Sequence, residues 1–217
     1  MADSEQKPTP DISGTISGMS ELGKTFHIVR SKAIDEYASY EKSLFYLFAH
    51  LLGVQFDYAG VPFFRLNNAP TRLIILEKLL RKRHGDKYIT FWNSLAKILR
   101  PFDDERNRVV HWSVHVQLNV GRGSEVIGIW LAPPDFWDRM SDPTATLTLD
   151  GLGEFIAKCD FFSRLISVFF VVLRGDTNIP AAWPGIFQQP LIYPPPDTHP
   201  LSLNYKAPET PPQSSPA

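Results

Sequence analysis

The sequence predicts a mainly α-helical fold: a bundle of four to five helices with a β-hairpin insertion, flanked by tails that stay disordered. Three patterns lead there. Apolar residues recur at three- and four-residue intervals through most of the chain, as they do on one face of a helix. The spacing changes to strict alternation once, just after Trp112, as on a strand. Eleven of the nineteen prolines fall between Asp176 and Ala217, where neither a helix nor a central strand could persist.

Taken in order, residues 1–24 are polar, and their opening, MADSEQKPTPDISG, has no basic segment leading into an apolar run. They read as a disordered tail and not as a secretory signal. From about Ile34 a helix is expected on Ile34, Tyr37, Ala38, Leu44, Phe45, Phe48, Leu51 and Leu52, with Gly53 placed to end it. Val54 to Leu66 carries Gly60 and Pro62 among aromatics without a clear period, so a partly buried connection is expected there. Asn67 or Asn68 can cap the next helix, Pro70 suits its first turn, Leu73, Leu76 and Leu80 share a face, and Gly85 is a natural stop.

Asp86 can cap a further helix through Tyr88, Phe91, Trp92, Leu95, Ile98 and Leu99, interrupted at Pro101. Asp103 is then expected as the N-cap of a short helix from about Asp104 to Trp112. Val114, Val116, Leu118 and Val120 alternate with polar residues, Gly121 to Ser124 forms a turn, and Glu125 to Leu131 returns, which gives a hairpin over about 113–132. Pro133 to Pro143 is a loop bearing Phe136 and Trp137. From about Asp150 to Arg174 a long helix carries an apolar face wide enough for a central core helix or a dimer surface, and Gly175 closes it. The domain is thus expected over 25–175 and a Pro-rich tail over 176–217, with Trp183 to Tyr193 apolar enough to lie on the domain.

At 217 residues and 43% hydrophobic content the chain can build one sizeable core. A net charge of −1 provides no global basic field, so a nucleic-acid ligand needs a local patch. The best one is Arg72, Lys78, Arg81, Lys82 and Arg83, which could equally be a solvated helix face. Cys159 is the only cysteine, which excludes an intrachain disulfide; it is expected to be a buried hydrophobe in a cytoplasmic protein. Lys158, Asp160 and Arg164 break the most hydrophobic stretch, so a soluble protein without a membrane partner is expected.

The chemistry-bearing run is Glu105-Arg106-Asn107-Arg108-Val109-Val110-His111-Trp112. With twelve Arg and six His in the chain, an Arg followed by His at loose spacing occurs about once by chance, whereas R-N-x-x-x-H is expected roughly 0.01 times. Asn107 and His111 share a helix face, while Arg106 and His111 are rotated by about 140°. Without a function, Arg106 would pair with Asp103 or Asp104, and His111 would pack at the end of a core helix. His111 and His115 have the spacing of two metal ligands on a helix, but the alternation puts His115 on a strand, and no metal or other cofactor is expected.

ERNRVVHW, late in a helical chain, resembles the signature of the HEPN superfamily (higher eukaryotes and prokaryotes nucleotide-binding), many of whose members are metal-independent ribonucleases. The resemblance implies a HEPN-like bundle from about Ile34 to Gly175, acting as a homodimer whose active cleft is shared between two copies. It implies Arg106 on the scissile phosphate, His111 in proton transfer with the ribose 2′-hydroxyl or the leaving 5′-oxygen, and Asn107 as the polar neighbour of the motif Arg. RNA would be the substrate, an antitoxin or other protein a partner, and a toxin or defence role the setting. The alternative is a non-catalytic HEPN-like binding or interaction module. Trp112 departs from the small residue that frequently follows the family's His.

Overall fold

The computed structural model describes residues 21–66, 68–119, 125–136, 146–176, 180, 182–202 and 205. They form helices α1 (Glu21–Leu52), α2 (Phe56–Arg65), α3 (Ala69–His84), α4 (Ile89–Leu99) and α5 (Phe102–His111). Strands β1 (Ser113–Asn119) and β2 (Glu125–Ala132) follow, then α6 (Leu149–Leu173) and the single turn α7 (Trp183–Ile186). The fold is mainly helical, as expected. The hairpin turn, Trp137, residues 1–20 and the last part of the Pro-rich tail lie outside the described residues.

α1 and α6 are the axis of the bundle. Tyr37 stacks on Phe155, Ser43 hydrogen-bonds Ser163, and His50 meets Phe170 edge-on, so the two helices run in the same direction. The small serines let them approach closely and satisfy one another's hydroxyls. α6 buries Leu152, Phe155, Cys159, Phe161, Phe162, Leu165, Ile166, Phe169, Val172 and Leu173. Its wide stripe is therefore consumed within the protomer: Phe161 and Phe162 also receive Tyr193, and Phe169 receives Phe187. Of the two roles expected for this helix, the core helix is observed.

Three boundaries differ from expectation. α1 begins at Glu21, because Phe26, Val29 and Ala33 extend the apolar stripe under a run of polar residues. The expected connection after Gly53 contains α2, which folds with Pro62 inside it and buries only Ala59 and Phe63. Pro62 is exposed, so the Tyr58 carbonyl left without its helical donor can meet water. In the Pro-rich tail, Trp183, Phe187 and Leu191 are buried on the domain as expected for Trp183 to Tyr193, and the packing runs past that stretch to Leu201.

The helix stops match their glycines. Gly53 has φ +76°, a backbone conformation that favours glycine, and the Arg83 guanidinium lies where a Cβ would stand. Asn68 caps α3 by accepting from the Thr71 N–H at 3.1 Å. β1 and β2 pair antiparallel from Ser113↔Ala132 outward, with a bulge between Gln117 and Leu118. Leu131 also exchanges two backbone hydrogen bonds with Leu147, which ties the hairpin to the start of α6.

Candidate functional site

α5 carries the motif and lies antiparallel to α1 and α6, because its start meets Tyr37 and Phe162 while its end meets Arg30. Phe102 and Val109, two turns apart, are its buried anchors. Asp103, expected to cap the helix, sits instead in its first turn, and Pro101 holds the N-cap position. One Asp103 carboxylate oxygen accepts from the Tyr37 hydroxyl at 2.6 Å and the other from the Ala69 N–H at 3.1 Å. A carboxylate at the start of α3 is also favoured by that helix's dipole. Burial, and then the bond to Asp103, pushes the Tyr37 hydroxyl far above its ordinary pKa. Glu105 receives Lys158 of α6 on both oxygens, at 2.9 and 3.0 Å.

The other end of α5 is held by Arg30. Its guanidinium donates to the carbonyl oxygens of Val109 at 2.8 Å, Val110 at 2.9 Å and Trp112 at 3.2 Å. These are carbonyls that a helix C-terminus leaves without internal donors, and the cation lies at the negative end of the helix dipole. Arg30 thereby fixes the turn from which His111 projects. Sequence reasoning missed it, since an Arg 79 residues from its acceptor has no local signature.

Within this frame the motif residues are placed as follows. Arg106 is half-buried, its guanidinium 5.9 Å from the Tyr37 ring centre, and it donates to the Asn107 side-chain oxygen at 3.2 Å. It forms no ion pair among the described residues. The expected pairing with Asp103 is displaced by the bonds of Asp103 to Tyr37 and Ala69. Asn107 and His111 are exposed one turn apart on the same face, so His111 does not pack into the core. The structure brings Arg106 to Asn107, and no hydrogen bond joins Arg106 to His111 within the protomer. Arg108 lies over Trp112 at 5.4 Å. No family model, curated protein or solved structure matches the chain.

The expected basic patch on α3 is narrower than its sequence. Arg72 is half-buried, ion-paired with Glu41, and donates to the Leu66 carbonyl at 2.6 Å. Arg81 pairs with Glu77 and Asp86. Arg83 donates to the Leu51 carbonyl at 2.8 Å. Lys78 and Lys82 are exposed and make no ion pair among the described residues. Between α5 and the start of α6 opens a cleft of about 340 Å³, lined by Asp104, Glu105, Arg108, Glu154 and Lys158 over Val109 and Phe155. Cys159 is buried, and burial is the main cause that pushes its thiol up to about 12, as suits a small hydrophobe. His115 stands on β1 against Trp130 and Phe136.

Proposed function

We propose that the chain is a HEPN-type, metal-independent endoribonuclease with a composite site shared by two copies. The single observation that carries this reading is the state of the motif: among the described residues Arg106 has no carboxylate partner, and His111 stands exposed, although a purely structural motif would pair the one and bury the other. In the proposed reaction the ribose 2′-oxygen attacks phosphorus and the bond to the 5′-oxygen breaks. One proton leaves the 2′-hydroxyl and one arrives at the 5′-oxygen, so the products are a 2′,3′-cyclic phosphate and a 5′-hydroxyl without consumption of water. His111 serves the proton transfers, Arg106 stabilises charge on the phosphoryl oxygens, and Asn107 orients Arg106. Arg106 and His111 point to different sides of α5, which is why the partner's copy of one of them completes the site.

The non-catalytic module remains the second reading, and specific observations favour it. Asp104 and Glu154 are exposed in the cleft beside the motif helix, where they repel phosphate, and Arg72 and Arg81 are neutralised by carboxylates. The experiment that decides is incubation of mixed RNA with the purified chain in the presence of a chelator, scored for cyclic-phosphate ends. The enzyme reading expects cleavage that Arg106→Ala and His111→Ala each reduce at least about a hundredfold with the fold retained. Wild type that leaves all RNA intact supports the module.

A further inference from the structure

We propose that α2 and the turn before it form a docking surface for an anionic lipid membrane. The observation is a concentration of exposed apolar side chains in one short stretch: Leu52, Val54, Phe56, Tyr58, Val61 and Phe64, with Tyr58 72% and Val61 69% exposed. Only Ala59 and Phe63 of α2 are buried, and of the seven α2 residues left exposed only Asp57 and Arg65 are charged. The helix is also supported from beneath. Phe45 touches Phe56, Phe63 and Phe64, and Tyr46 touches Phe56. The projecting side chains therefore stand on a packed aromatic base.

The occupant follows from the rim. Arg174 lines the same depression as Val54 and Phe56, and Arg83 packs against Gly53. Lys42 lies over the Tyr46 ring at 5.7 Å, and Arg65 ends α2. His50 lines the same depression, and its pKa is lowered first by burial and then by those two cations. In a chain of net charge −1, Arg83, Arg174 and Lys42 thus lie toward the start of one apolar helix and Arg65 at its end, against the single carboxylate of Asp57 on the helix itself. An apolar face at the height of acyl chains with cations at the height of headgroups is the arrangement of an interfacial helix on anionic lipid. Among the described residues no single helix is long and apolar enough to cross a membrane; α1 and α2 are so only together, bent by 117° between them, and α1 is packed into the bundle, so the contact proposed is peripheral.

A second copy of the chain fits the patch less well. Arg30, which holds the His111 turn, and Leu52, at the patch, lie at opposite ends of α1, about 33 Å apart at the rise of a straight helix. Two copies joined through α2 would hold their motif helices far from one another. Single-stranded RNA could stack on the exposed rings of Phe56, Tyr58 and Phe64, but Leu52, Val54 and Val61 among them are aliphatic and gain from acyl chains what base stacking cannot give them.

The test is flotation of the full chain with vesicles of phosphatidylcholine alone and of phosphatidylcholine mixed with phosphatidylserine. The expected result is recovery with the anionic vesicles only, weakened by salt. Val61→Glu should abolish it, and Arg65→Gln and Arg174→Gln should each weaken it about fivefold. All three positions are exposed, and circular dichroism at matched temperature confirms that each variant folds; the salt dependence of wild type tests the rim without any variant. Failure to float with either vesicle overturns the proposal, as does equal recovery with both. It is also overturned by a wild-type dimer that Val61→Glu makes monomeric while flotation is absent, or by capture of single-stranded RNA, with no flotation, that the same substitutions abolish.

Discussion

Replacing Arg30 tests how the motif helix is held. Arg30→Met keeps the aliphatic stem and removes the guanidinium that donates to Val109, Val110 and Trp112. A hydrogen bond to a charged group contributes about 1.5–3 kcal/mol net. The three bonds do not sum, because the site is only half-buried and water can replace some donors. One such bond plus about 0.5 kcal/mol for the helix dipole gives an expected loss of about 2–3.5 kcal/mol. For a domain of this size that is a fall of about 4–14 °C in the thermal midpoint. Arg30→Lys keeps a point charge that cannot reach three carbonyls at once, so it should lose about half as much. Thermal unfolding followed by circular dichroism reads both. A midpoint for Arg30→Met within about 1 °C of wild type would refute the argument that Arg30 secures the end of α5.

Asp103→Ala leaves the Tyr37 hydroxyl and the Ala69 N–H without their acceptor and should cost about 2–4 kcal/mol; a double-mutant cycle in denaturant with Tyr37→Phe should show coupling above about 0.5 kcal/mol. Trp183→Ala removes a buried ring from the packed Pro-rich segment and should cost about 3–5 kcal/mol in urea unfolding, whereas a free tail would give no change. His50, His84 and His199 all have pKa values lowered, in each case chiefly by burial, from an ordinary 6.5. The unfolded chain therefore takes up protons at higher pH than the folded one, so stability is full above about 6.5 and falls as pH drops through the histidine range. Thermal midpoints measured between about pH 8 and about pH 5 should show that fall, and replacement of the three histidines by Gln should flatten it.

What was legible in the sequence depended on how local its cause was. Gly53, Gly85 and Gly175 stop their helices with positive φ, and Asn68 caps its own, because those effects act within a few residues. The switch to a hairpin was legible from alternation alone. α2 was hidden because Gly60 and Pro62 are helix breakers by propensity, and tertiary contacts of Ala59 and Phe63 with the aromatic base outweigh them. The start of α1 was hidden because Lys24, Arg30 and Lys32 dilute a sparse apolar stripe. At the candidate site, the motif and its helix were legible, but its supports were not. Asp103 reaches Tyr37, Arg30 reaches the end of α5, and Arg72 reaches Glu41, all across long separations that spacing does not encode.

The composite site is tested most directly by mixing two inactive variants. Arg106→Ala and His111→Ala proteins, unfolded together and refolded in equal amounts, should yield heterodimers in half of the population. In each, one site pairs an intact Arg106 with the intact His111 of the other copy, so about a quarter of wild-type RNA cleavage should return. No return of cleavage from the mixture, with wild type active under the same conditions, would contradict a site shared across two copies.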